Sequence, residues 1–156
     1  MLEALVYADA APPTRFAPGA APGESTARAD GDPRDALTAM INGARVEERL
    51  RALVRDGRLD AIAAAHTDTM KRSHRVGHDV GDGDPEQRVL AAGLRPRRTG
   101  ENVAHARSIA RAHRTLWSSP SHRANLLDDR FGSVGVAVSV DADGSVWVTE
   151  TFAEFR

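Results

Sequence analysis

Hydrophobic positions change their spacing along this chain, from helical over most of its length to alternating at the end. Leu37, Met40, Ile41 and Ala44 follow an i, i+3, i+4, i+7 pattern and predict a helix from about residue 35 into the late forties. Leu50, Leu53 and Val54 extend that apolar set up to Asp56-Gly57, which punctuates it. Leu59, Ile62, Ala63, His66 and Met70 share one face of a second helix. Asp84-Pro85-Glu86-Gln87 opens a third, with an acidic cap, proline at the first position and glutamine at the third, and Gly93 ends it. A fourth covers about 106–118, and Ser119-Pro120 starts a short helical turn through Leu127. The period then switches. In 133–140 the even positions are all valine and the odd ones Ser, Gly, Ala and Ser. Asp141-Ala142-Asp143-Gly144 is a turn, and SVWVTETF returns as a second strand.

Helices first and an antiparallel hairpin last indicate an α+β fold with helices packed on a sheet. The valine face of 133–140 predicts burial against helices. Its small-residue face predicts either close approach of another element or room for a cavity. Leu59, Ile62, Met70, Leu116, Val134, Val136 and Val138 are the expected core.

Residues 8–33 have no such pattern. They are dominated by Ala, Pro and Gly, which fix φ, remove donors or raise the ordering cost without offering side chains to bury. This stretch reads as a linker or a strap on a domain surface, with LEALVY before it as a stray strand. The expected division is a tail over 1–33 and a domain over 34–156.

Composition narrows the function classes. Net charge is -1, which gives no case for nucleic acid or an anionic membrane through bulk charge. Lys71 is the one lysine among 21 basic residues, so a single arginine carries little weight as a pointer to function. There is no cysteine and no run of about 18 apolar residues, hence no disulfide framework and no membrane span. The start of the chain lacks the basic and apolar regions of a signal peptide.

Candidate chemistry centres on histidine. His66 sits on an apolar helix face, which predicts a buried imidazole with one hydrogen bond to backbone. His74 and His78 form H-x-x-x-H interrupted by Gly77, without the glutamate of metalloprotease helices. His105 and His113 read as helix surface or edge residues. His122 stands third in a helix begun by Ser119-Pro120, so its direction is set by the cap. No phosphate loop, nucleophile elbow or cysteine nucleophile is present.

Taken in order, the blocks AHTDTM, GH, DPEQRV, AAGL, GENVA, LWSSPSHRANLLDDRFGSVGVAV and VWVTETFA resemble the bacterial branch of the CAP superfamily, the SCP-like domain, over about residues 35–154. The resemblance implies a three-layer α-β-α sandwich with helices packed on an antiparallel sheet, and a secreted or cell-surface location. It maps the family's cleft histidines to His78 and His122 and its first acid to Glu101. The second acid of eukaryotic members would follow Trp117, where this chain has Ser118, Ser119 and Pro120. Glu150 stands where many relatives have glutamine. The implied function is a non-catalytic module whose His78, Glu101 and His122 cleft binds a divalent metal, zinc first, or a small ligand. The alternatives are a metal-dependent hydrolase using the same cleft and a structural or protein-interaction domain. The partner is an unidentified small ligand or cell-surface protein.

Overall fold

The computed structural model describes residues 31–155. The predicted LEALVY strand, and the tail up to residue 30, lie outside them. Five helices and four strands follow in the order α1 Pro33–Glu47, β1 Val54–Arg55, α2 Gly57–Ser73, α3 Pro85–Ala91, β2 Arg98–Ala106, α4 Ile109–Ser118, α5 Pro120–Leu126, β3 Ser133–Val140 and β4 Val146–Glu154. The sheet order is β1-β3-β4-β2, so β2 is an edge strand. α2 covers one face, while α1, α4 and α5 gather on the other. This is the expected three-layer α-β-α sandwich. Its sheet is mixed rather than wholly antiparallel, because β1 pairs in parallel with β3.

The first three helices begin at side-chain caps. Asp32 accepts the Arg34 N–H ahead of Pro33, Asp56 accepts the Arg58 N–H, and Asp84 and Gln87 form a complete capping box. α1 therefore begins at Pro33, inside the stretch assigned to the tail. It ends at Glu47, short of the predicted apolar extension; Arg49 turns the chain with φ 61°. Leu53 then enters the core, and Val54 joins the sheet edge through β1.

β2 was not foreseen as a strand. Its alternation is hidden because Glu101 and Asn102, adjacent and facing opposite sides, are both buried. His105 therefore lies on a strand rather than a helix, its ring stacked on Trp147 at 4.1 Å.

The hairpin behaves as its period requires. Val134 and Val136 are fully buried with Leu37, Ile41, Leu116, Leu126, Val148 and Phe152 in one continuous core, against which Val138 is only partly buried. The small face of β3 leaves no cavity: α2 lies directly on it. A Cβ added at Gly135 would sit 2.1 Å from the Leu59 carbonyl carbon, and farther along Lys71 Nζ reaches Ser139 Oγ. Glycine at 135 is a requirement of that close packing.

Candidate functional site

Two layers meet at the β2 edge. On one side the α2–α3 loop presents His78; on the other α5 presents His122; Glu101 lies on β2. The two imidazole centroids are 6.4 Å apart with planes inclined at 32°. His78 Nδ1 is 3.0 Å from Glu101 Oε1. The structure thus brings the three candidate residues into one cluster, while His74 forms the left-handed C-cap of α2.

α5 is fixed to β2 by amides. Asn102 Nδ2 donates to the His122 carbonyl at 3.2 Å, and Asn125 Nδ2 donates to the Glu101 carbonyl and to Asn102 Oδ1, both at 3.0 Å. Ser119 does not close the α5 start with its side chain. Its hydroxyl instead lies 2.8 Å from His122 Nδ1. Burial, and secondarily the neighbouring His78, hold the His122 ring below the usual histidine pKa.

Glu101 is nearly inaccessible and fully engaged. Oε1 faces His78, with His66 Nε2 at 3.7 Å, and Oε2 lies 2.5 Å from an Arg88 nitrogen. His66 is fully buried and makes two hydrogen bonds instead of the expected one: Nδ1 to Asp82 Oδ2 at 2.7 Å and Nε2 to the Gly77 carbonyl at 2.9 Å. Both ring nitrogens are thus engaged, and the imidazole is held from two sides. Arg88, Asp82 and the side-chain role of Ser119 were not foreseen from sequence. In a chain with twenty arginines, Arg88 carried no distinguishing local signal.

A second acid lies beneath the cleft. Glu150 on β4 is fully buried, opposite Asn102, whose Nδ2 donates to its Oε2 at 3.0 Å. Among the described residues its Oε1 has no partner, and neither has the buried Thr151 Oγ1. Burial drives the Glu150 pKa up to about 7, against the weaker pull of the Asn102 hydrogen bond.

Chemically, the cluster offers two imidazole Nε2 atoms that no hydrogen bond from the described residues occupies. A carboxylate on Nδ1 of one ring and a hydroxyl on Nδ1 of the other are the partners that orient metal-ligating histidines. Among the described residues no three His, Cys, Asp or Glu side chains form a ready-made metal centre. Two imidazoles binding one tetrahedral ion at about 2.0–2.1 Å place their centroids about 5 Å apart, against 6.4 Å between these rings.

A profile of the CAP, or cysteine-rich secretory protein, family matches residues 38–152. An outer surface protein of Borrelia burgdorferi superimposes with a TM-score of 0.75 at 19% identity, covering 80% of this chain and 93% of its own. An extracellular SCP-domain protein of Bacillus anthracis gives 0.67 at 26%, covering 78% and 40%. A cysteine-rich secretory protein of Staphylococcus aureus gives 0.64 at 20%, covering 78% and 38%. The chain thus spans about two fifths of the Bacillus and Staphylococcus proteins. No curated protein sequence matches it. No helix among the described residues is long and apolar enough to cross a membrane.

Proposed function

The chain belongs to the CAP family, and from that premise we propose that it is an exported, non-catalytic module whose cleft binds a divalent metal through His78 and His122. One observation carries this reading. Both rings are held through Nδ1, by Glu101 at 3.0 Å and Ser119 at 2.8 Å, with both Nε2 atoms left without a partner among the described residues. That is the donor set of a borderline cation such as zinc, completed by water or a small ligand. Ser119, the N-cap of α5, supplies the orienting contact to His122. Export is supported by the descriptions of the Borrelia and Bacillus structures as outer-surface and extracellular proteins.

Glu101 acts here as the orienting partner of His78. With one oxygen facing His78 and the other Arg88, it is not placed as a general base for a metal-bound water, which argues against hydrolysis. Calorimetric zinc titration tests the reading: one site in the parent protein, lost in His78→Ala and in His122→Ala with the fold intact. Unchanged binding in the double variant overturns it.

A further inference from the structure

We infer that Arg88 is the positioning residue of this cleft, holding His78 in the tautomer that leaves Nε2 free. The inference builds on the metal-binding reading above, and it concerns how the protein itself is arranged before any ion arrives.

The geometry begins at α3. Its capping box fixes the first turn, and Arg88 follows directly after Gln87 with its side chain only 8% exposed. From there the guanidinium forks. Nη1 donates to the His78 carbonyl at 2.7 Å and to the Gly83 carbonyl, with Asp82 Oδ1 at 3.6 Å. Nη2 donates to Glu101 Oε2 at 2.5 Å. One side chain thus grips the backbone of the first cleft histidine and the carboxylate that the same histidine's ring touches.

Planarity makes the fork matter. Arginine presents parallel donors in a rigid plane, whereas lysine offers a single point charge. Because Oε2 is taken by Arg88, the Oε1 lone pairs are turned toward His78 Nδ1, and that nitrogen carries the proton. Nε2 is then the bare nitrogen. His66 secures the other end of the loop, since its Nε2 reaches the Gly77 carbonyl at 2.9 Å. Two successive carbonyls, of Gly77 and His78, are therefore pinned by two buried side chains from α2 and α3. This shell leaves the ring of His78 little freedom except rotation about its own bonds.

The role is one of positioning, because Arg88 reaches the cleft only through Glu101 and the His78 backbone. Its replacement by lysine should change the tautomer of His78 while the ring, the second histidine and the net charge are retained.

The test is long-range ¹H–¹⁵N NMR of the histidine rings in zinc-free protein at about pH 8, where imidazoles are neutral, combined with zinc calorimetry. Expected in the parent protein is a single His78 tautomer protonated at Nδ1. Arg88→Lys keeps the charge and removes the fork; it should give mixed His78 tautomers and about ten- to hundred-fold weaker zinc binding, the usual effect of losing an outer partner. Arg95→Lys, in the loop that follows α3, should change neither. A parent protein with His78 protonated at Nε2 overturns the inference without any variant, so failure of Arg88→Lys to fold does not shield it. Arg88→Lys with the parent's tautomer and zinc affinity overturns it as well. A parent protein that has the expected tautomer, loses it in Arg88→Lys and binds no zinc defeats the metal reading and leaves Arg88's role standing.

Discussion

The two faces of the sheet are built differently. The face under α1, α4 and α5 carries one continuous apolar core, running from Leu37 and Ile41 through Leu116 and Val136 to Phe152. The face under α2 carries two small clusters, one around Leu59, Ile62 and Val89 and one around Met70, Val103 and Trp147. Between them lies a polar waist of His66, Thr67, Glu101, Thr149 and Thr151, all buried. Thr67 and Thr149 join hydroxyl to hydroxyl across it at 2.7 Å. Continuous apolar burial stabilises without directing chemistry, whereas buried polar groups must be paired and so hold fixed directions. The His78–Glu101–His122 cluster lies where the polar waist reaches the β2 edge and His122 comes round from the other layer.

Four substitutions probe this contrast, in order of expected effect. Gly135→Val forces a branched side chain into the Leu59 backbone, where even a Cβ would stand at 2.1 Å. It should cost about 3 kcal/mol or more, or abolish folding, as read by denaturant melts. A loss below about 1 kcal/mol would mean that α2 is not seated on β3 as described. Leu116→Ala, in the continuous core, should cost about 2–5 kcal/mol by the same measurement. A cost under about 0.5 kcal/mol would remove α4 from that core.

Glu150→Gln is the case of opposite sign. The Glu150 pKa rises from 4.5 unfolded to about 7 folded, so between these values the native state holds a proton that the unfolded state has released. Stability from this group is complete below pH 4.5 and is lost as pH rises through about 7. The amide has no such loss. Glu150→Gln should therefore match the parent near pH 4.5 and exceed it at pH 8 by roughly 3 kcal/mol. An equal stability difference at both pH values would show that Glu150 does not titrate in this window.

Ser119→Ala should have the smallest effect, about 1 kcal/mol, because it removes one partly exposed hydrogen bond to His122. Its value lies in pH dependence. With the folded His122 pKa below its ordinary value of 6.5, the stability it contributes is present above 6.5 and falls away as pH drops through the folded value. Zinc binding should likewise survive somewhat below pH 6.5 at this ring, and Ser119→Ala should leave that lower limit in place, because burial and His78 rather than Ser119 hold the pKa down, as followed by calorimetry between about pH 5.5 and 7.5.

The contrast between faces also explains what the sequence allowed to be read. Caps, the β3 valines and the α2 apolar face obey local rules, and the elements they predict are present. β2 was missed because its buried Glu101 and Asn102 read as surface residues when their partners are unknown. Those partners, Arg88, His66 and Asn125, lie 13, 35 and 23 positions away from the residues they hold. His78, Glu101 and His122 are legible through the family blocks rather than spacing, since nothing local distinguishes a cleft histidine from a packed one. Ser119 has the local signature of a backbone cap, whereas its hydroxyl serves an imidazole.

The most direct test of the central claim is the X-ray absorption fine structure of zinc-loaded protein. Coordination by His78 and His122 predicts two imidazole nitrogens at about 2.0–2.1 Å with oxygen completing the shell, and loss of the imidazole signal in His78→Ala/His122→Ala. A shell without imidazole scattering, or a spectrum unchanged in that double variant, would contradict it.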